Sequence, residues 1–212
     1  MDPALVELFV SALATFFVVI DPPGCAPIYA SMTTEASPRQ RRAMAVRAVF
    51  VATLILIFFA LLGEQMLDAL GISLDAFRIS GGIMLFYIAF EMIFERRTKR
   101  REDRAQKIID TPEVEDVSVF PMAMPMIAGP GSIASVMLLA GRSQGYQESL
   151  TVFAALGAIL LLTLLALLAA GAMMRLLGKK IEAVITRLLG VILAALAAQF
   201  VIDGVVAAFN LA

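Results

Sequence analysis

The chain has 212 residues, 60% of them hydrophobic and 17% charged, with a mean hydropathy of +0.89 and a formal net charge of −1. That is far too apolar for an ordinary soluble domain, and the composition predicts an integral membrane protein. The near-neutral balance leaves no basic footprint for nucleic acid, and the single cysteine, Cys25, excludes an internal disulfide. With no histidine, no metal-ligand cluster and no nucleophile-elbow or phosphate-loop motif, the sequence points away from an enzyme, a metal site or a cofactor.

A spanning helix needs about 20 mostly apolar residues. Six runs meet that length: 4–34, 43–66, 76–94, 118–140, 150–174 and 184–208, the first and fourth being interrupted. No Lys or Arg precedes Arg39, so the first run lacks the basic start of a secretory signal peptide and is expected to remain as a span. Backbone groups cannot stay unpaired in lipid, and the runs lack the in/out alternation of a barrel strand, so all six are read as helices.

Basic residues set the orientation. Fifteen of them (Arg39, Arg41, Arg42, Arg47, the seven between 96 and 107, Arg175, Lys179, Lys180 and Arg187) fall on one side, and only Arg78 and Arg142 on the other. With six spans, both termini are expected outside the cytoplasm. The 95–117 loop, whose basic first half (ERRTKRREDR) precedes an acidic second half (DTPEVED), is expected inside, where the plain reading is a solvated connector.

The first span is broken at 21–27 by DPPGCAP and the fourth at 128–132 by AGPGS. Pro23-Gly24 and Pro130-Gly131 lie 107 residues apart, and Arg78-Ile-Ser-Gly81 in the third span echoes Arg187-Leu-Leu-Gly190 in the sixth at an offset of 109. The chain therefore divides into a three-helix repeat at 1–94, the charged loop at 95–117 and a second repeat at 118–212. An odd number of spans per repeat inserts the second upside down. Proline removes a backbone donor and glycine relaxes the backbone, so each break frees carbonyls and N–H groups that lipid cannot satisfy. In secondary transporters such paired breaks form the substrate site, with the positive end of a half-helix toward a carboxylate and unwound carbonyls toward a cation.

Asp21 has two compatible roles: an N-cap worth about 1 kcal/mol, or a site acid that meets a substrate ammonium or a coupling proton. The equivalent place in the second break is Ala128, where Ser132 supplies a hydroxyl instead. Glu91 is a second proton-coupling candidate, although the arginines just beyond it make an interfacial salt bridge the plainer account. Gln199 is expected to bond across helices and Asp203 to reach the outer surface. Thr15, Thr53, Ser80 and Thr163 are expected to bond back to their own helices. Gly81, Gly82 and Gly190 are read as close-packing positions and Cys25 as a small residue at a tight spot.

The stretches FFVVIDPPGCAPIYASMT (16–33), GISLDAFRISGGIMLF (71–86), FPMAMPMIAGPGSIASVMLL (120–139) and LLGVILAALAAQFVIDGV (188–205) together resemble the MarC family of inner-membrane proteins, also called the UPF0056 or small neutral amino acid transporter family. The resemblance implies a six-helix bacterial membrane protein of inverted three-helix repeats, related to the LysE-type exporters, with proton-coupled transport of glycine and alanine. On the family pattern D-P-x-G-N-x-P, Asp21, Pro22, Gly24 and Pro27 match, whereas Cys25 replaces the common Asn and is a weaker donor and acceptor.

The resulting expectation is an all-α secondary transporter whose small zwitterionic substrate sits near the bilayer midplane between the two breaks, contacted by Asp21, Pro22, Pro23, Gly24, Cys25, Gly129, Pro130, Gly131 and Ser132. Partners are the lipid bilayer and a proton or other coupling ion, with a homo-oligomer left open. The rivals are a passive channel, an exporter of another small metabolite, an assembly subunit, and a membrane enzyme. Against the enzyme stands the expectation that Asp21 and Glu91 lie at different depths.

Overall fold

The computed structural model describes the backbone of residues 2–109 and 116–209 and, within these, the side chains outside 97–98, 104–105, 107–109 and 173–182. Of the acidic half of the loop, residues 110–115 lie outside the described residues. Helices α1 (Pro3–Ile20) and α2 (Pro22–Met32) form the first span, α3 (Pro38–Ala69) the second and α4 (Leu74–Ile93) the third, and α5 (Arg96–Ile109) follows. An irregular segment, Ser118–Ile127, and α6 (Pro130–Arg142) make the fourth span, bent by 55° at the break between them. Helix α7 (Tyr146–Leu168) is the fifth, and the last part of α8 (Ala170–Ala208) is the sixth. Five helices are thus long and apolar enough to cross a membrane, six spans when the bent pair counts as one. No strand occurs among the described residues.

Local chemistry starts the helices where the sequence changes character. Asp2 caps α1 through the Ala4 N–H at 3.0 Å, with Pro3 at the first helical position. Ser37 and Gln40 cap each other's backbone at the start of α3, and Ser73 caps α4. One boundary differs from the sequence reading. Helix α7 stops at Leu168 rather than running to 174, and the next residues join α8, because the chain turns at Ala169 alone.

Exposed Leu54, Phe58, Phe86, Leu161, Leu165 and Val191 give the outer faces an apolar coat, as a lipid-facing bundle requires. Inside are two clusters. One joins α1, α2, α3, α7 and the 118–127 segment around Phe16, Ile20, Tyr29, Leu56, Ile127 and Leu156. The other joins α1, α4, α6 and α8 around Val19, Leu85, Met92, Leu138 and Leu193. The main packing pairs are α4 on α8, α1 on α7, and α3 on α6.

The α4–α8 contact is an antiparallel seam closed by glycines. A Cβ at Gly82 would stand 2.9 Å from the Ala197 carbonyl oxygen, and one at Gly190 would stand 3.1 Å from that of Ala89. These obstacles are backbone, so the helices would have to part to admit a side chain. At one end of the seam Arg78 pairs with Asp75 at 3.1 Å and Arg142 with Asp203 at 2.5 Å. Gln199 donates to Asp203 within α8 at 2.6 Å, so it does not bridge helices as the sequence reading expects; a carboxylate one turn along its own helix is nearer than any partner. Thr15, Thr53, Ser80 and Thr163 bond back to their own helices, as expected.

Replacing Gly190 by Leu is expected to force the seam apart and destabilise the protein by about 1–3 kcal/mol. Thermal unfolding of the purified protein in detergent measures this, and an unchanged midpoint would contradict the close packing.

Candidate functional site

The first break falls at Asp21, one residue ahead of the prolines. Its backbone is left-handed (φ 59°, ψ 64°), which ends α1 while its N–H still donates to the Phe17 carbonyl at 3.0 Å. Aspartate tolerates this region better than most side chains. Pro22 and Pro23 then take the first two positions of α2, where no N–H is required. The Gly24 N–H donates to Asp21 Oδ1 at 3.1 Å, and the Gly24 and Cys25 N–H groups both reach the Asp21 carbonyl. A Cβ at Gly24 would lie 2.2 Å from Asp21 Oδ2, so only glycine lets the carboxylate fold over the helix start. The first turn of α2 is thereby satisfied internally. Cys25 is fully buried, and its Sγ donates to the Ile20 carbonyl at 3.4 Å.

The other carboxylate oxygen of Asp21 accepts from Arg101 Nη1 at 3.0 Å, with the two side chains only 2% and 10% exposed. Arg101 belongs to α5. The stretch expected to be a solvated connector therefore forms a helix that inserts a guanidinium beside the break, because a lone carboxylate there would be buried and unpaired. The neighbouring Arg100 pairs with Glu91, which is 5% exposed, so Glu91 is in the salt bridge that its position predicts.

Consecutive arginines thus hold the two acids, and the expectation that Asp21 and Glu91 sit at different depths is corrected. Asp21 follows the 18 residues of α1, and Glu91 comes near the end of the 20 residues of α4. At 1.5 Å per residue, both lie roughly 26 Å along their helices. The acids belong to the arginine-rich end of those helices rather than to their middle.

The second break is built differently. Phe120 and Met124 are extended, the Phe120–Pro121 and Met124–Pro125 peptide bonds are cis, and wide turns close through Met122 N–H to Val117 O and Ala128 N–H to Ala123 O. Gly129 is extended, Pro130 opens α6, and no side chain caps that helix. The N–H groups of Gly131 and Ser132 find no acceptor among the described residues. The Ser132 hydroxyl has no hydrogen-bond partner among them either, although the residue is 2% exposed. A Cβ at Gly131 would stand 2.6 Å from Ile88 Cδ1 and 3.2 Å from Val19 Cγ1, which places the start of α6 against α4 and α1.

A cavity of about 740 Å³ opens at this point. Glu91, Arg100 and Arg101 form its charged end, while Gly129, Pro130, Gly131 and Ser132 bring the start of α6 to it. Val19, Ile83, Met84, Ile88, Phe120 and Met126 form an apolar wall. Four of the nine substrate residues read from the sequence therefore line the cavity. Asp21, Pro22, Pro23, Gly24 and Cys25 do not. Asp21 reaches the cavity only through Arg101, because its own carboxylate is turned onto the start of α2. Sequence reasoning missed Arg100 and Arg101, which nothing in ERRTKRREDR distinguishes from their neighbours. Among the described residues no acidic, cysteine or histidine cluster suits a metal ion.

At the entrance to the irregular segment, Asp116 pairs with Arg47 and accepts the Ser118 N–H at 2.9 Å. Burial pushes this carboxyl up, but the hydrogen bond from the Ser118 N–H and the Arg47 charge outweigh it and hold Asp116 below its ordinary value.

The fold and this site define a multi-pass α-helical membrane protein with a charged cavity at a broken span. The family model for MarC family integral membrane proteins matches residues 6–209. The chain is 30% identical over 208 residues to a UPF0056 membrane protein of Methanocaldococcus jannaschii, covering 97% of this chain and 90% of the relative. It is 32% identical over 197 residues to one of Aquifex aeolicus (93% and 92% covered) and 31% identical over 159 residues to one of Bacillus subtilis (75% and 74%). The chain belongs to the MarC family of integral membrane proteins. No solved structure matches it.

Arg101→Gln leaves a buried carboxylate unpaired and is expected to cost about 3–5 kcal/mol, most of which returns when Asp21→Asn is added. Denaturation of the two single variants and the double variant in detergent measures the coupling. Single costs that simply add would show that the pair does not hold α5 in place.

Proposed function

We propose that the protein is a secondary transporter for a neutral amino acid or similar small zwitterion, working across the bacterial inner membrane by alternating access with proton coupling. The observation that carries this reading is the open end of α6. Two N–H groups and the Ser132 hydroxyl lack partners among the described residues, and their residues line a cavity that Glu91 also lines. A helix start of that kind stabilises a carboxylate, and Glu91 is the complementary place for an ammonium. The first break cannot serve as the carboxylate end, since Asp21 has used the N–H groups of α2.

In this mechanism the empty site is neutralised by α5, with Arg101 on Asp21 and Arg100 on Glu91. The substrate ammonium competes with Arg100 for Glu91. A proton delivered to Asp21 discharges its pair with Arg101, and α5 is then free to move from the break. Binding and protonation thus weaken the same helix contact, which couples them. The excess of basic residues on one side supports a cytoplasmic α5 and termini outside. The packing of α1 on α7, of α3 on α6 and of α4 on α8, each pairing a helix of one half with a helix of the other, supports two inverted repeats that rock against each other.

Uptake of labelled glycine and alanine into proteoliposomes, with and without an inward proton gradient, tests the reading. Saturable, gradient-driven uptake that Asp21→Asn loses is the expected result. Folded, inserted protein that gives neither uptake nor counterflow of any neutral amino acid would overturn the carrier. Full pH-dependent uptake by Asp21→Asn would remove Asp21 from the coupling.

A further inference from the structure

The cavity at the second break has two unlike sides. On the inner side lie the start of α6 and Glu91, with Ser132 2% and Glu91 4% exposed. The outer side, between α4 and the 118–127 segment, is open on the lipid-facing surface: Ile83 is 59% and Phe120 60% exposed, and Met84 and Tyr87 are exposed beside them. This outer side is an apolar groove with a charged end.

Shape, charge and depth together say what fills it. Ile83, Met84, Tyr87 and Ile88 line the groove along α4 toward Glu91, a rise of about 12 Å, close to the ~15 Å depth of one hydrocarbon leaflet. An extended hydrocarbon chain suits that length. At the charged end, α5 has seven basic residues against Glu102 and Asp103, and the added carboxylates of Asp21 and Glu91 still leave an excess of three positive charges. Arg100 lines the groove with its side chain 48% exposed, and among the described residues only its Nη2 is engaged, by Glu91. A guanidinium has five N–H donors, so it can keep Glu91 and still offer a fork to a phosphate. Tyr87, Phe90 and Phe94 are exposed toward this end of α4, and the Arg96 guanidinium lies 5.8 Å from the Phe90 ring centre. Exposed rings beside arginines mark the boundary between hydrocarbon and headgroups, which sets Arg100 at headgroup depth.

We propose that this groove is a docking site for one anionic phospholipid from the leaflet at the arginine-rich end of the bundle. An acyl chain lies along Ile83, Met84 and Tyr87, and the phosphate accepts from Arg100. A zwitterionic lipid meets the same apolar wall, but its headgroup cation faces the positive excess of α5, so the anionic lipid is preferred. One cation engaged near the surface corresponds to about fivefold in affinity. The inference goes beyond the carrier reading and does not depend on it.

The chain contains no tryptophan, so one introduced indole reports on its own surroundings. Tyr87→Trp places it in the groove, and Leu161→Trp places it at an exposed position of α7 that does not line the groove. Each full-length variant is reconstituted in phosphatidylcholine vesicles containing a minor fraction of phosphatidylglycerol, with brominated, fluorescence-quenching chains on one lipid or the other. The indole at 87 should be quenched by phosphatidylglycerol with about fivefold higher relative affinity than by phosphatidylcholine, and the indole at 161 should show no preference. Glu91→Gln with Arg100→Gln removes the ion pair without leaving a buried charge or altering the net charge, and in the Tyr87→Trp background should bring the ratio toward one. Equal ratios at 87 and 161, or a preference at 87 that survives loss of the pair, would overturn the docking site. Relief of the quenching by millimolar free glycerol phosphate would make the groove a site for a soluble anion, and would overturn it too.

Discussion

Asp21 ends one helix, starts the next and holds a guanidinium from a third. Each of these answers the same constraint, that backbone and charged groups cannot be left unpaired away from water. The left-handed turn at Asp21 frees the start of α2, its carboxylate and carbonyl recapture the freed N–H groups, and the charge so buried requires Arg101. The placement of α5 follows from that requirement. An otherwise polar helix is drawn against the bundle, and the next residue, Arg100, reaches Glu91.

The two breaks are alike in sequence and opposite in chemistry. Where the first has Asp21, the second has Ala128, and no side chain caps α6. The first break is closed by its own acid, whereas the second leaves two N–H groups and a hydroxyl facing a cavity. In the proposed transporter, the first break would hold the protein's own cation and the second a substrate's anion. The charged end of the cavity contains groups from α4 and α5, and the start of α6 lines the same cavity.

Much of this was legible in the sequence because it depends on local patterns. Apolar runs of span length, the two Pro-Gly breaks, the glycines at 82 and 190, and an acid at 91 beside arginines all announce themselves within a turn or two of helix. The pair of Asp21 with Arg101 joins residues 80 positions apart, and seven basic residues compete for the role, so periodicity could not choose among them. The direction of the Asp21 carboxylate was equally hidden. Only the backbone turn shows that it lies over Gly24, consuming the donors of α2 and turning Cys25 into the core. The second break also extends further than its Pro-Gly, since Pro121 and Pro125 already interrupt the helix upstream.

The account stands on the claim that Asp21 pins α5 to the broken span. Hydrogen exchange of the 96–109 backbone, in wild-type protein and in Asp21→Asn reconstituted into liposomes, measures that directly. The account predicts slow exchange across α5 in the wild type and clearly faster exchange in the variant, with α7 unchanged as an internal reference. Equal protection of α5 in both proteins would show that something other than Asp21 holds this helix, and would contradict the account.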